Sequence, residues 1–335
     1  MHSPDRVRYG TMSAPPPTVP AMTSVSDAQI DSDGRLRHLL TLECLPRPTL
    51  EALLDRAQAM ADSGEVNARL AGIAVCTLFF EPSTRTRLSF QRATQRLGAD
   101  VLGFDASTSS TTKGETALDT FRNIEAMGVR GFVVRHSADG AVAELAAAAA
   151  PGTALVNAGD GRSAHPTQGL LDMLTLRQAT GTDFSGLKVV IVGDVRHSRV
   201  ARSDLHALRT LGAGEIRVCG PASLLPDADT LSGCTVTHDL DAALDGVDAV
   251  MMLRLQRERM AEGLVDSLEN YHRDYGLDAR RLRRASTDAV VLHPGPMNRG
   301  VEITDEVADG PQSWILQQVA NGVAARMAVL EALLG

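Results

Sequence analysis

The sequence predicts an α/β protein of two doubly wound domains with parallel sheets, and three observations carry that prediction. Short apolar runs bounded by glycine or proline recur along the chain, as buried strands do. Segments of helical period alternate with them, which is the pattern of open α/β sheets. At 335 residues the chain is also too long for one ordinary core, and a length of about 150 residues per unit gives two.

The first unit is read from residues 73–80, a run ending at Pro82. Beyond the proline the period becomes 3.6: Thr86, Phe90, Ala93 and Leu97 fall on one helix face, and Gly98 ends the helix. Residues 100–104 begin the next strand. Thr112 and Glu115 have the spacing of a capping box for a helix carrying Leu118, Phe121 and Ile124. The second unit is read from strands at 188–192, 215–219, 248–253 and 289–292, with a helix at 198–211. The last helix, 312–334, is apolar enough to pack against a domain. In such sheets ligands bind beyond the carboxyl ends of strands.

Composition removes several function classes. Net charge is −8 and aromatic residues make up 3% of the chain. Neither suits a nucleic-acid surface or a base-stacking platform. Any anion site must therefore be a local concentration of arginine and lysine. Cys44, Cys76, Cys219 and Cys234 are far apart, so neither a zinc site nor a disulfide framework is indicated and a reducing cytoplasm fits. No 18-residue apolar run could span a bilayer. Residues 1–33 are rich in Pro, Ser and Thr and lack the apolar core of a signal peptide. They are expected to be an extension disordered in isolation, with Met12 and Met22 as alternative starts.

The chemistry-bearing stretches all follow strands. Ser83-Thr84-Arg85-Thr86-Arg87 opens a helix with Ser83 at the N-cap. Free amides and the helix dipole there favour an anion, and basic residues in a first turn are costly unless an anion compensates them. Taken alone, the motif fits an anion site and a solvated helix turn equally well. The polar loop 106–115 carries Ser109 and a single cation, Lys113. It reads as a lid delivering charge or as an ordinary polar loop. Arg135 ends a strand. His165 sits at an N-cap before Pro166, where the dipole disfavours imidazolium, and Gln168 follows one turn on. After residue 192 only Gly193 is present, not a G-x-G-x-x-G, so dinucleotide binding is not expected. Arg199 and Arg254 stand at neighbouring strand ends, where each could hold a carboxylate, with Gln256 on the same face as Arg254. Arg257 and Arg259 read as helix-surface charges. His293-Pro294-Gly295-Pro296 closes the last strand with a rigid turn.

In this order and spacing the motifs resemble the aspartate carbamoyltransferase family from about Leu36 to Leu334. The resemblance implies that family's fold, with a carbamoyl phosphate domain at 34–164, an aspartate domain at 165–311, and a C-terminal helix (312–335) returning to the first. It implies synthesis of N-carbamoyl-L-aspartate and phosphate from carbamoyl phosphate and L-aspartate, the committed step of pyrimidine synthesis, with no metal or organic cofactor. By position, Ser83, Thr84, Arg85 and Thr86 would hold the phosphate. Thr86, Arg135 and His165 would polarise the carbonyl, Gln168 and the Pro294 carbonyl would hold the carbamoyl NH2, and Gly295 would also belong to the carbamoyl phosphate site. Arg199, Arg254 and Gln256 would bind the aspartate carboxylates. Ser109 and Lys113 would be supplied by the neighbouring subunit of a homotrimer.

Ornithine carbamoyltransferases share the phosphate motif but carry H-C-L-P and S-M-G turns where this chain has His293-Pro294-Gly295-Pro296 and Leu253-Arg254-Leu255-Gln256. Arginines there suit a diacid and repel a cationic side chain. A non-catalytic assembly homologue is the other alternative, and it conflicts with every catalytic position being filled. Gly295 stands where regulated members carry leucine. With the N-terminal extension, that is similar to bacterial members that assemble with dihydroorotase or dihydroorotase-like chains.

Overall fold

The computed structural model describes residues 25–105, 114–255, 263 and 266–335. Strands form where β-branched and other apolar residues run without a polar alternation, as in parallel sheets covered on both faces. The first half holds β1 (Ala74–Phe79), β2 (Asp100–Asp105), β3 (Gly131–His136) and β4 (Ala154–Asp160). They pair in parallel in the order β2-β1-β3-β4. The second half holds β5 (Lys188–Val192), β6 (Glu215–Cys219), β7 (Thr235–Thr237), β8 (Ala249–Met252) and β9 (Val290–Leu292). These form a second parallel sheet in the order β7-β6-β5-β8-β9.

Each sheet reverses its winding once, between β1 and β3 and between β5 and β8. Loops leaving strands on either side of such a point diverge and leave a crevice. Those crevices position everything that follows.

The helices that cover the sheets begin with α1 (Val25–Gln29), α2 (Arg47–Ser63), α3 (Thr84–Arg96), α4 (Ala117–Ala126) and α5 (Ala141–Ala147). Then come α6 (Pro166–Thr180), α7 (Arg199–Leu211), α8 (Leu240–Leu244), α9 (Leu268–Tyr275), α10 (Ala279–Leu282), α11 (Asp305–Ala308) and α12 (Ile315–Leu334). On α3, Thr86, Phe90 and Ala93 are buried at the predicted spacing, followed by Leu97 at its end. Helix α6 has no polar face: every residue from Pro166 to Leu176 is buried. It packs against α7 and α12, so it is core on all sides. One apolar cluster runs from Val75 and Val133 through Leu170 and Leu174 to Val189 and Ile191, joining the two sheets. Helix α12 packs on α2, α3 and α6, returning the chain end to the first sheet. Among the described residues no helix is long and apolar enough to cross a membrane.

Three local expectations are revised. The cap of α4 is Thr116, one turn beyond the expected Thr112, which lies outside the described residues. Thr116 Oγ1 accepts from the Asp119 amide at 3.1 Å and donates to the Asp119 carboxylate at 2.7 Å. The last helix begins at Ile315, because Gln312 and Trp314 pair their backbones with Val291 of β9 at 2.8 and 2.9 Å. Within the extension expected at 1–33, residues 25–33 are placed. Gln29 is buried, and its side-chain oxygen accepts from the Leu40 and Thr41 amides at 2.7 and 2.8 Å. These two bonds, one of them to a buried backbone donor, tie α1 to the body of the protein. Residues 1–24 lie outside the described residues.

Candidate active site

A cavity of about 1020 Å³ lies against the carboxyl ends of both sheets, at their two switch points. Six arginines line it (Arg85, Arg135, Arg162, Arg199, Arg254 and Arg326) against three carboxylates, Glu81, Asp139 and Asp194. In a chain of net charge −8, this is a local anion trap of the kind that concentrates negatively charged ligands.

Its floor on the first-sheet side is the start of α3. Ser83 is the N-cap in extended conformation, and its side chain makes no capping hydrogen bond. The amides of Thr84, Arg85 and Thr86, in the first turn, have no intrahelical acceptor, and all three residues line the cavity. Arg85 makes no ion pair with any described residue, and burial together with nearby Arg254 lowers its pKa. Arg87 does not line the cavity. The opening motif thus separates into one arginine in the cavity and one outside it.

Arg135, at the end of β3, donates from Nη1 to the Ala158 carbonyl at 3.2 Å. Burial and the neighbouring Arg199 push it down to about 10, with Glu81 opposing the shift, so it stays charged at neutral pH. Glu81 lies 2.6 Å from Arg135 Nη2 and 2.6 Å from Arg199 Nη2. Arg135 at the end of β3 and Arg199, which opens α7 rather than ending a strand as expected, therefore close on one carboxylate from the two halves of the chain. Gly159 makes this possible: at φ +114° a Cβ would come within 2.9 Å of the Arg199 guanidinium and 3.1 Å of Arg135.

His165 caps α6, with Pro166 in its first turn, and is buried. Its backbone amide donates to Ser203 Oγ at 2.9 Å. Burial, then Arg135, Arg199 and Arg326, hold its pKa well below the ordinary imidazole value. The N-cap position pointed to a neutral ring, and burial first, then the surrounding arginines, favour that form. Gln168 also lines the cavity, with its Nε2 donating to Asp172 Oδ1 at 3.0 Å.

Across the cleft, Arg199 opens α7 and Arg254 follows β8. Both Arg135 Nε and Arg254 Nε are buried without a hydrogen-bond partner among the described residues. The last wall is the turn His293–Pro296. His293 Nδ1 accepts from the Gly295 amide at 2.8 Å, and its Nε2 faces the buried Glu302 at 3.2 Å. Gly295 sits at φ +66°, and a Cβ there would lie 3.0 Å from the Arg85 guanidinium carbon. The turn and the phosphate motif are thus in direct apposition.

Ser83, Thr84, Arg85, Thr86, Arg135, His165, Gln168, Arg199, Arg254, Pro294 and Gly295 all line this one cavity. Ser109, Lys113 and Gln256 lie outside the described residues, as do Arg257 and Arg259. Sequence reading missed Glu81, Asp172, Gln318 and Arg326. Glu81 is the lone carboxylate in Phe79-Phe80-Glu81-Pro82-Ser83, and Asp172 and Arg326 are charges inside otherwise apolar helical runs. Among the described residues no cluster of three or more His, Cys, Asp or Glu side chains could hold a metal ion.

Comparison with known proteins places this geometry. The family model "Aspartate/ornithine carbamoyltransferase, carbamoyl-P binding domain" matches residues 37–178, and "Aspartate/ornithine carbamoyltransferase, Asp/Orn binding domain" matches residues 185–333. The chain belongs to the aspartate/ornithine carbamoyltransferase family. The aspartate carbamoyltransferase catalytic subunit of Xanthomonas campestris pv. campestris (strain B100) is 78% identical over 311 residues, which cover 92% of this chain and 99% of that one. Among solved structures, aspartate transcarbamoylase from Trypanosoma cruzi, in complex with carbamoyl aspartate and phosphate, aligns with a TM-score of 0.80 at 32% identity. That match covers 91% of this chain and 98% of its own. Ornithine carbamoyltransferase from Thermus thermophilus aligns with the same TM-score at 29% identity, covering 89% and 99%. Fold similarity alone therefore does not separate the two acceptors; the relative at 78% identity does.

Proposed function

We propose that the chain is the catalytic chain of an aspartate carbamoyltransferase. It transfers the carbamoyl group of carbamoyl phosphate to the amine of L-aspartate and releases phosphate. The observation that carries this reading is one cavity in which α3's open N-terminus and Arg85 face Arg199 and Arg254 across a neutral His165. One end suits a phosphate, the other a diacid, and the middle a polarised carbonyl.

Ser83, Thr84, Arg85 and Thr86 take the phosphate, with Arg85 balancing charge on the departing oxygen. Thr86, Arg135 and neutral His165 donate to the carbamoyl oxygen, while Gln168 and the Pro294 carbonyl accept from its NH2. Arg199, Arg254 and Gln256 take the carboxylates of aspartate. The amine attacks the carbonyl carbon and forms the new C–N bond, giving a tetrahedral intermediate whose oxyanion faces Arg135 and His165. Collapse breaks the C–O bond to phosphate, and the leaving phosphate accepts the amine proton. No side-chain base is needed, so positioning and electrostatic stabilisation supply the acceleration, on the order of 10 kcal/mol.

The deciding assay compares acceptors. Carbamoylation is expected with L-aspartate and not with L-ornithine, because Arg254 sets a positive charge where ornithine would bring its own. Turnover with ornithine alone would overturn the assignment.

We further propose a homotrimer in which Ser109 and Lys113 complete the neighbour's site, working in the cytoplasm, with a dihydroorotase-like chain as an assembly partner. Four unpaired cysteines suit a reducing compartment. Mixing inactive Arg85→Ala chains with inactive Lys113→Ala chains should restore activity at about a quarter or less of native, since a hybrid trimer contains some sites free of both changes. Mixtures that stay inactive would remove the shared site. Isolation from the native host as a bare trimer would remove the partner.

A further inference from the structure

The two acceptors proposed for the carbamoyl NH2 come from distant parts of the chain, yet both lead to one buried carboxylate. Gln168 Nε2 donates to Asp172 Oδ1 at 3.0 Å. Gln318 Nε2, from α12, donates to the same oxygen at 2.6 Å. Gln318 Oε1 in turn accepts from the His293 amide at 3.0 Å, immediately before Pro294. Asp172 is fully buried on α6, and Asp204 on α7 is fully buried beside it.

We propose that Asp172, sharing a proton with Asp204, is the positioning residue that fixes both grips on the carbamoyl NH2, Gln168 Oε1 and the Pro294 carbonyl. This rests on the roles proposed above for Gln168 and Pro294.

Amide chemistry gives the reason. An ionised carboxylate oxygen only accepts, so both glutamines must turn their NH2 groups toward it. Gln168 then presents its oxygen on the other side, toward the cavity, and Gln318 presents its oxygen to the His293 amide. A flipped Gln168 would set an acceptor against Asp172 and aim an NH2 at the substrate's NH2. The cost of that mismatch at a buried carboxylate is what holds the orientation.

The second carboxyl explains how such a hub survives burial. As two carboxylates, Asp172 Oδ2 and both Asp204 oxygens have no hydrogen-bond partner. With one proton between them they bond to each other, and burial raises both pKa values accordingly. Among the described residues the oppositely charged group acting on Asp172 is Arg326 on α12, itself buried and pushed down to about 10 by that burial, with Asp172 opposing the shift. Gln168 and Gln318, the other groups at the pair, are neutral. One shared proton leaves one negative charge to balance Arg326. Since the folded protein holds the proton more tightly than the unfolded chain, stability from the pair is full at low pH. It falls as pH rises through the raised titration.

Four variants, Asp172→Ala, Asp172→Asn, Asp204→Asn and Gln168→Ala, would be assayed for kcat and both KM values from about pH 6 to about pH 10, with circular dichroism to confirm folding. Asp172→Ala should lower kcat roughly 30-fold with the aspartate KM moved less than about threefold, since loose positioning costs the chemical step. Asp172→Asn should recover about tenfold of that loss, because its single oxygen can still accept from both glutamines. Asp204→Asn donates to Asp172 at every pH, so its kcat relative to native should climb about threefold or more between neutral and alkaline pH. A folded Asp172→Ala protein with kcat within about threefold of native, an Asp172→Asn no better than alanine, or a flat Asp204→Asn ratio would each overturn the proposal. If Asp172→Ala fails to fold, the two asparagine variants decide. A fully active Gln168→Ala would instead overturn the underlying role of Gln168. An impaired Gln168→Ala beside an active Asp172→Ala overturns this inference alone.

Discussion

Arg85→Ala is expected to lower kcat about 10³-fold while leaving the folded protein as stable as before or more so, since one preorganised donor at developing charge is worth 10²–10³ or somewhat more. The two halves of that expectation come from the same geometry. Arg85 makes no ion pair with any described residue, and burial and Arg254 both act against its charge. It stands in the first turn of α3, where the helix dipole also disfavours a cation. Among the described residues nothing compensates it, so its removal relieves repulsion. Only a bound anion turns that local cost into a gain, and the gain is largest when charge builds on the departing phosphate oxygen. Arg85→Lys keeps the charge but loses the planar fork, so it should fall between native and alanine. Steady-state kinetics paired with thermal denaturation checks this. A matched loss of kcat and melting temperature would recast Arg85 as structural.

The same logic explains why so much of the site was legible in the sequence. Arginines at helix starts and strand ends break local rules, and local rules can be read without a structure. Arg85, Arg135, Arg199 and Arg254 were each visible as such exceptions, and the βα pattern placed them on the ligand side of two sheets. His165 was legible as a neutral imidazole from Pro166 alone, although three arginines prove to surround it. What stayed hidden depends on contacts far apart in the chain. Asp172 and Gln318 are 146 residues apart and meet only because α12 folds back onto α6. A carboxylate in Leu170-Leu171-Asp172-Met173-Leu174 was the available signal, since an apolar helix keeps a charge only where something answers it. Glu81 was overlooked for the opposite reason. It sat inside the motif under scrutiny, but its partners lie 54 and 118 residues away, beyond any local periodicity.

Glu81→Gln should accordingly produce a defect second only to that of Arg85→Ala, with kcat/KM for aspartate falling about 10²-fold, in line with removing one member of a partly buried ion network. Glu81 holds Arg135 of the first sheet and Arg199 of the second at 2.6 Å each. Without its charge the two guanidiniums, which already repel, face one another across the cleft. Two readings of that triad make opposite forecasts. If Glu81 merely occupied Arg199 in competition with substrate, its neutralisation would free a carboxylate site, and the aspartate KM would drop. If it clamps the two halves so that Arg199 and Arg254 converge on one ligand, the KM must rise. The geometry favours the clamp. Arg199 gives Glu81 only Nη2 and the Gly161 carbonyl Nη1 at 3.1 Å, so Nε is left for another acceptor. Gly159, at φ +114°, keeps clear the space in which both arginines meet the carboxylate. The aspartate KM of Glu81→Gln, read beside small-angle scattering for cleft opening, therefore decides between them. A lowered KM with unchanged dimensions would establish competition instead.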